Sequence, residues 1–286
     1  MLNAEGEITR QWRLNGAITN ADAQDRWMLT TPVSYPADGT AMSTLRKSAA
    51  NIRLGEYIAD ATAESIARYG LDTPHIVIRL HQAAGTIGAV GTTGSYATTD
   101  YPESTITLVI GEQESDLVDY VLYDGGIYRC STLLLRGVMN ADWQETITRY
   151  PVLTALGNLA SLSRETADGV DTWVITRTEQ VAENNELVMD DEGNQVYDIA
   201  LTKNGESADY TAFSAAYNQL MMVTMSGRLP DGWTAADAPH TVWTFTDVDG
   251  TVHTVALIRY DAMHDAVAVD GVALFYLIQG GFSLGI

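Results

Sequence analysis

The sequence predicts an α+β protein of two tandem, similar units, each an antiparallel sheet with helices packed on one face. Three observations point there. The stretch Pro74-His75-Ile76-Val77-Ile78-Arg79-Leu80 is echoed by Pro239-His240-Thr241-Val242-Trp243-Thr244-Phe245, and a duplicated unit governs how every other residue is read. Each stretch is followed by a second apolar run, 105–110 and 254–258, and then by a hairpin signal, Asp124-Gly125 and Asp270-Gly271. Ahead of each strand set lies a segment with the i, i+3, i+4 rhythm of an amphipathic helix.

The elements follow in order. Ile8, Arg10, Trp12 and Leu14 alternate as a strand, and Trp27–Thr31 is a second, ended by Pro32. Ala37-Asp38-Gly39 opens a helix reaching Leu54, with Met42, Leu45, Ala49 and Ile52 as its buried stripe. Tyr57-Ile58-Ala59 is a short strand. Thr62 caps a short helix through Tyr69, and Gly70 closes it. Strands are expected at 74–81, 104–110, 118–123 and 126–130. In the second unit, 172–176 and 196–201 are strands, and Asp209 caps a helix with Phe213, Tyr217, Leu220 and Met221 on one stripe. Strands follow at 240–246, 252–259, 266–270 and 272–278. Asn140, Pro151 and Gly157 interrupt the pattern, so the units are 1–138 and 158–286, joined by 139–157. His75 and His240 stand 165 residues apart but Asp124 and Asp270 only 146, which places an insertion in the first unit. The glycine-rich segment 82–103 supplies it as a loop, where extra chain costs little.

Composition narrows the function classes. The chain has 286 residues, 46% of them hydrophobic, enough for a sizeable core. Its formal net charge is -21, and Lys47 and Lys203 are its two lysines. That field repels a nucleic-acid backbone and disfavours anionic membrane surfaces, and no arginine cluster offsets it. Cys130 is the one cysteine, which excludes an intrachain disulfide and a cysteine-based zinc site. No apolar run approaches the ~20 residues of a membrane helix. Met1-Leu2-Asn3-Ala4-Glu5-Gly6 has neither the basic region nor the apolar core of a signal peptide.

Motif by motif, the structural reading outweighs the chemical one. Gly85, Gly88, Gly91 and Gly94 lack the lysine and the following helix of a phosphate loop, so they read as a hairpin loop. His75 and His240 occupy equivalent strand starts, beside proline, as hydrogen-bonded edge residues. His75 and His81 are too far apart along one strand to share an ion, and no carboxylate-histidine signature joins His253 to His264. Asp190-Asp191-Glu192-Gly193-Asn194 fails the spacing of a calcium loop and reads as a turn, as does Asp247-Val248-Asp249-Gly250. No Gly-x-Ser-x-Gly elbow occurs. Most of the six tryptophans sit in apolar strand patterns. Trp12, Trp143 and Trp233 are less periodic, and together with His75 and His240 they are the candidate binding-surface residues. No catalytic residue, metal site or cofactor is expected.

Several features together resemble a bacterial envelope family catalogued as domain of unknown function 4340. They are the tryptophan strand Trp27-Met28-Leu29-Thr30-Thr31-Pro32, the aspartate-led helix 38–54, and Tyr69-Gly70-Leu71-Asp72-Thr73-Pro74. Leu108-Val109-Ile110-Gly111, Asp119-Tyr120-Val121 and Ile127-Tyr128 continue the pattern. The resemblance covers residues 6–138 well and the second half more loosely, where Tyr-Gly-Leu and Ile-Gly are both lost. It implies a membrane-anchored protein with one N-terminal helix and an exposed globular part, in the company of ABC-type transporters of gliding motility or export. The family supplies no catalytic residues to carry over.

Two function classes follow. The favoured one is a non-enzymatic, extracytoplasmic interaction module, anchored through a segment upstream of this chain, whose partner is an envelope protein such as a transporter subunit. The alternative is a small-ligand-binding or hydrolytic protein with its site in a groove between the two repeats. A cytoplasmic location is the other option for the compartment. A flat aromatic surface favours the module; a deep pocket with converging histidine and aspartate favours the alternative.

Overall fold

Local sequence sets the helix ends. Asp38 accepts the Ala41 amide at 2.8 Å and starts helix α1, Gly39–Ala50. Thr62 and Ser65 form a reciprocal capping box on α2, Ala63–Arg68. Asp209 accepts the amides of Thr211 and Ala212 and starts α4, Tyr210–Met221, whose Phe213, Tyr217 and Leu220 are buried at the expected spacing. Helix α3 is Thr132–Met139. The structure is a computed structural model; it describes all residues except 3–6, 8, 15–26, 83, 91–95, 183–186, 191–194 and 286, and omits the side chains of 12, 14, 87–90 and 96–99.

The chain divides into two compact units, Met1–Thr148 and Arg149–Ile286. The first unit has a three-stranded sheet of β1 (Gln11–Leu14), β2 (Trp27–Thr31) and β3 (Tyr35–Pro36), in that order. Its main sheet comprises β4 (Leu54–Asp60), β5 (Ile76–Gln82), β8 (Ser104–Ser115), β9 (Val118–Tyr123) and β10 (Gly126–Ser131), in the order β4-β10-β9-β8-β5. A separate hairpin pairs β6 (Gly85–Val90) with β7 (Tyr96–Tyr101). Ile78, Leu108, Ile110 and Val121 of the sheet pack with Leu135 and Val138 of α3 to make the core. Leu45 and Ala49 of α1 pack against it.

Among the described residues, the second unit carries one nine-stranded antiparallel sheet. Its strands are β11 (Leu159–Thr166), β12 (Gly169–Glu179), β13 (Tyr197–Lys203), β14 (Glu206–Ala208), β15 (Gly227–Arg228), β16 (Thr241–Asp247), β17 (Val252–Arg259), β18 (His264–Val269) and β19 (Val272–Ile278). They lie in the order β14-β13-β12-β11-β16-β17-β18-β19-β15. Trp173, Trp243 and Phe245 of the sheet meet Phe213 and Tyr217 of α4 in a continuous aromatic layer.

This overturns the expected helix-packed α+β repeat fold: strands take 48% of the chain and helices 18%. Three of the differences bear most on the fold. Segment 82–103 is not a bare loop, because Gly85–Val90 and Tyr96–Tyr101 pair in register; Gly85 and Gly88 are strand residues, while Gly91 and Gly94 lie outside the described residues. The chain at 159–166 is a strand at the heart of the nine. Its pairing with β16 shifts between Leu159 and Ser161, so Leu159 and Leu162, three apart, are both fully buried. Such an irregularity breaks the period of two by which a strand is recognised. Finally, α1 stops at Asn51, and Leu54 already belongs to β4. Ile8, read as strand, lies outside the described residues, as do residues 191–194 of the acidic turn.

What the halves share is a run of strands. The order β4-β10-β9-β8-β5 matches β15-β19-β18-β17-β16. The amides of His75 and His240 donate to Ile110 and Leu257 at 2.9 and 3.0 Å. The closing turns, Asp124-Gly125 and Asp270-Gly271, both have positive φ at both residues, the geometry that tight hairpins favour. Asn204-Gly205 makes a third such turn, between β13 and β14.

Candidate functional site

Alternation along β17–β19 sends Val255, Leu257, Val267, Phe275 and Leu277 into the buried side of the sheet. The residues between them build a different surface. Leu229, Ile258, Ala266 and Ala268 form a buried floor, and Trp233, Tyr260 and Tyr276 lie partly buried on it. The floor is low because two of its members are alanines, so rings can spread across it. Tyr260 and Tyr276 stack at 5.3 Å with an interplanar angle of 19°. Trp233 meets Tyr260 edge-on at 6.1 Å, and His264 meets Tyr276 edge-on at 4.9 Å. Met263, next to His264, and Ile278, the partner of His264 across the β18–β19 ladder, are exposed by 62% and 55%.

Two backbone features hold this face. Gly227 pairs with Tyr276, and a Cβ there would collide with the tyrosine hydroxyl. Asp261 accepts the amides of Met263 and His264 at 2.7 and 2.8 Å and lies 3.0 Å from His264 Nδ1. The Met263 amide, followed by the His264 side chain, holds the Asp261 carboxyl below the usual carboxylate range. Its fixed negative charge orients the His264 ring against Tyr276. The result is a row of stiff aromatic side chains that lose little rotamer freedom when covered. Tryptophan, tyrosine and methionine are also the residues enriched at protein interfaces.

Of the residues singled out from sequence, Trp233 belongs to this face. His240 lies on another cluster: its Nε2 is 3.2 Å from Oδ1 of buried Asp265, its Nδ1 is 3.0 Å from Thr241 Oγ1, and Arg259 approaches the same carboxylate at 3.7 Å. His75 is exposed, and no side-chain partner is found for it among the described residues. Trp143 is half-buried in a single turn of the first unit, where its carbonyl accepts the Thr146 hydroxyl. The Trp12 side chain lies outside the described residues. Among the described residues no three His, Cys, Asp or Glu side chains come together as a metal site.

Sequence reasoning missed Tyr260, His264 and Tyr276. Tyr276 sits in the unbroken apolar run Val272–Ile278, where no period marks its face. The usable signal was the alternation of alanine and valine in Ala266-Val267-Ala268-Val269, which marks one face of β18 as a floor for larger groups. Also missed was a pair of buried aspartates, Asp119 and Asp265, each the second residue of its strand. Asp119 stands opposite Cys130, whose thiol is pushed up by burial and then by that charge.

The Asp270 turn carries a pH prediction. Asp270 Oδ2 is 2.9 Å from His253 Nδ1, and its Oδ1 accepts the Thr254 amide at 2.8 Å. Burial by itself would raise its carboxyl, but the His253 bond and the Thr254 amide outweigh it and hold it low. A folded-state pKa below the unfolded one gives stability that is present above about pH 4 and is lost as pH falls through the folded value. Thermal unfolding should therefore show Tm falling on acidification below about pH 4, with a shallower acid limb in Asp270→Asn. Parallel limbs in the two proteins would remove Asp270 from the account.

The family model described as Domain of unknown function (DUF4340) matches residues 27–241. The chain belongs to the DUF4340 family. No curated protein and no solved structure matches it. The DUF4340 match begins at the tryptophan strand and extends well into the second unit, to Thr241. Trp233 therefore lies inside it, whereas Tyr260, His264 and Tyr276 lie beyond.

The geometry explains why Tyr69-Gly70-Leu71 and Ile110-Gly111 go together. Gly70, at φ 65°, ends α2 in a double turn: the Leu71 amide donates to Ile66 and the Gly70 amide to Ala67. That turn lies against Gly111, where a Cβ would stand 2.5 Å from the Tyr69 carbonyl oxygen and 2.9 Å from Leu71. Tyr-Gly-Leu and Ile-Gly are two sides of one contact, and both are absent from the second half.

Proposed function

We propose that this DUF4340 protein is a non-enzymatic interaction module of the cell envelope that docks a protein partner on the aromatic face of its second unit. The observation that carries the reading is the row Trp233, Tyr260, Tyr276 and His264, with exposed Met263 and Ile278 beside it. Rigid rings on a floor of small residues form the kind of anchor that dominates interface energetics. Asp231, which Arg228 approaches at 3.8 Å, and Asp261 edge the patch, and the chain carries a net charge of -21, so the fitting partner presents a basic rim around an apolar centre. The family resemblance adds the setting: an extracytoplasmic protein held by an upstream anchor, serving an ABC-type transporter or an envelope assembly.

The test is retention of solubilised native membrane proteins on the immobilised chain, with Trp233→Ala alongside. A transporter subunit or envelope protein should be retained by the native chain and reduced roughly tenfold or more by the substitution, with thermal stability nearly unchanged. Equal retention by Trp233→Ala, or retention of no such protein, would overturn the proposal.

A further inference from the structure

The first unit contains a solvent-open cavity of about 550 Å³ between the C-terminal half of α1 and the core side of the main sheet. Its walls are Ile52, Leu54, Leu80, Ile106 and Leu108, and the alanines of α1, Ala49 and Ala50, leave the space open above them. That volume falls within the range of small-molecule sites, about 300–1,000 Å³. The local charge is opposite to that of the chain. None of the described lining residues is acidic, although the chain has 37 Asp and Glu, whereas Arg46 and His81 both line the cavity. Arg46 forms no ion pair among the described residues; its guanidinium rests 5.9 Å from the centre of the Trp27 ring. His81 is already engaged, with Nδ1 3.0 Å from Thr105 Oγ1 and Nε2 3.8 Å from Glu103. Among the described residues, Arg46 is thus the cation left to meet a ligand at this apolar cavity.

We propose that this cavity binds a free single-chain amphiphile with an anionic head, of the fatty-acid type. The chain lies against the leucine and isoleucine walls, and the carboxylate meets Arg46, whose planar guanidinium suits two oxygens at once. Burying each further methylene should strengthen binding by about fourfold until the cavity is full. This site is independent of the aromatic face, and failure of either proposal leaves the other standing.

Calorimetric titration with octanoate, decanoate and dodecanoate, each below its micellar concentration, tests it, with dodecanol as the uncharged arm. Affinity should rise along the acid series. Arg46→Gln should weaken dodecanoate by roughly tenfold and leave dodecanol unchanged. Ile106→Glu, at a position already 41% exposed and so compatible with folding, should abolish binding of the acids. Unchanged circular dichroism and Tm confirm that both variants are folded. Three results would overturn the proposal: no dodecanoate binding at about 1 mM, affinity indifferent to chain length, or equal binding by Arg46→Gln and Ile106→Glu.

Discussion

Trp243→Ala is expected to destabilise the second unit by about 3–5 kcal/mol. Trp243 is 1% exposed, stacks on Trp173 at 6.4 Å, and receives Phe282 edge-on at 5.7 Å. The Arg164 guanidinium lies 5.7 Å from its ring centre and pairs with Asp171. Removing the indole takes away the middle of the aromatic layer, and strands on either side cannot close the gap without breaking their ladders. Its Nε1 is buried without a hydrogen-bond partner among the described residues. Trp243→Phe, which keeps a ring and removes that N–H, should therefore lose less than about half as much. Urea denaturation followed by circular dichroism reads both, and a loss below about 1 kcal/mol for the alanine variant would refute the argument.

Gly111→Val is expected to cost about 2–4 kcal/mol in the first unit. The obstacle is backbone, since a Cβ would press on the Tyr69 carbonyl oxygen at 2.5 Å. That oxygen cannot withdraw freely, because it accepts the Glu112 amide at 3.1 Å and belongs to the turn closing α2. Gly125→Ala is the control. Gly125 has φ 75°, but a methyl group there would meet nothing within 4 Å. It should lose only the left-handed backbone cost, about 1–2 kcal/mol. Equal losses at the two glycines would show that steric contact at Gly111 is not the cause.

Both predictions rest on contacts that sequence reading approached from one side. Trp243 was legible as a strand residue in an apolar pattern, but its neighbours Trp173 and Phe282 come from distant parts of the chain. Gly111 was legible as part of the resemblance to the family, while its contact with Tyr69 and Leu71 was not. The caps Asp38, Thr62 and Asp209 were readable because a cap is settled within three residues. The turns Asp124-Gly125 and Asp270-Gly271 were readable for the same reason. Strand β11 was not, because its irregularity spaces Leu159 and Leu162 unlike a strand. The aromatic face was visible only as Trp233, since its other rings are held by pairings that no local pattern records.

Neighbouring residues along the chain settle the local elements: where helices start, where hairpins turn, which strands follow a proline-histidine pair, and the resemblance to the DUF4340 family. How strands are shared among sheets is settled by long-range pairing alone. In the second unit, β11 pairs with both β12 and β16 and joins two runs into nine strands, while in the first unit β1, β2 and β3 stay a sheet of their own. A helix satisfies its backbone within a few residues, whereas a strand edge is satisfied by whatever distant strand reaches it. That choice also decides which sheet face is covered and which is left open, as at Tyr260 and Tyr276.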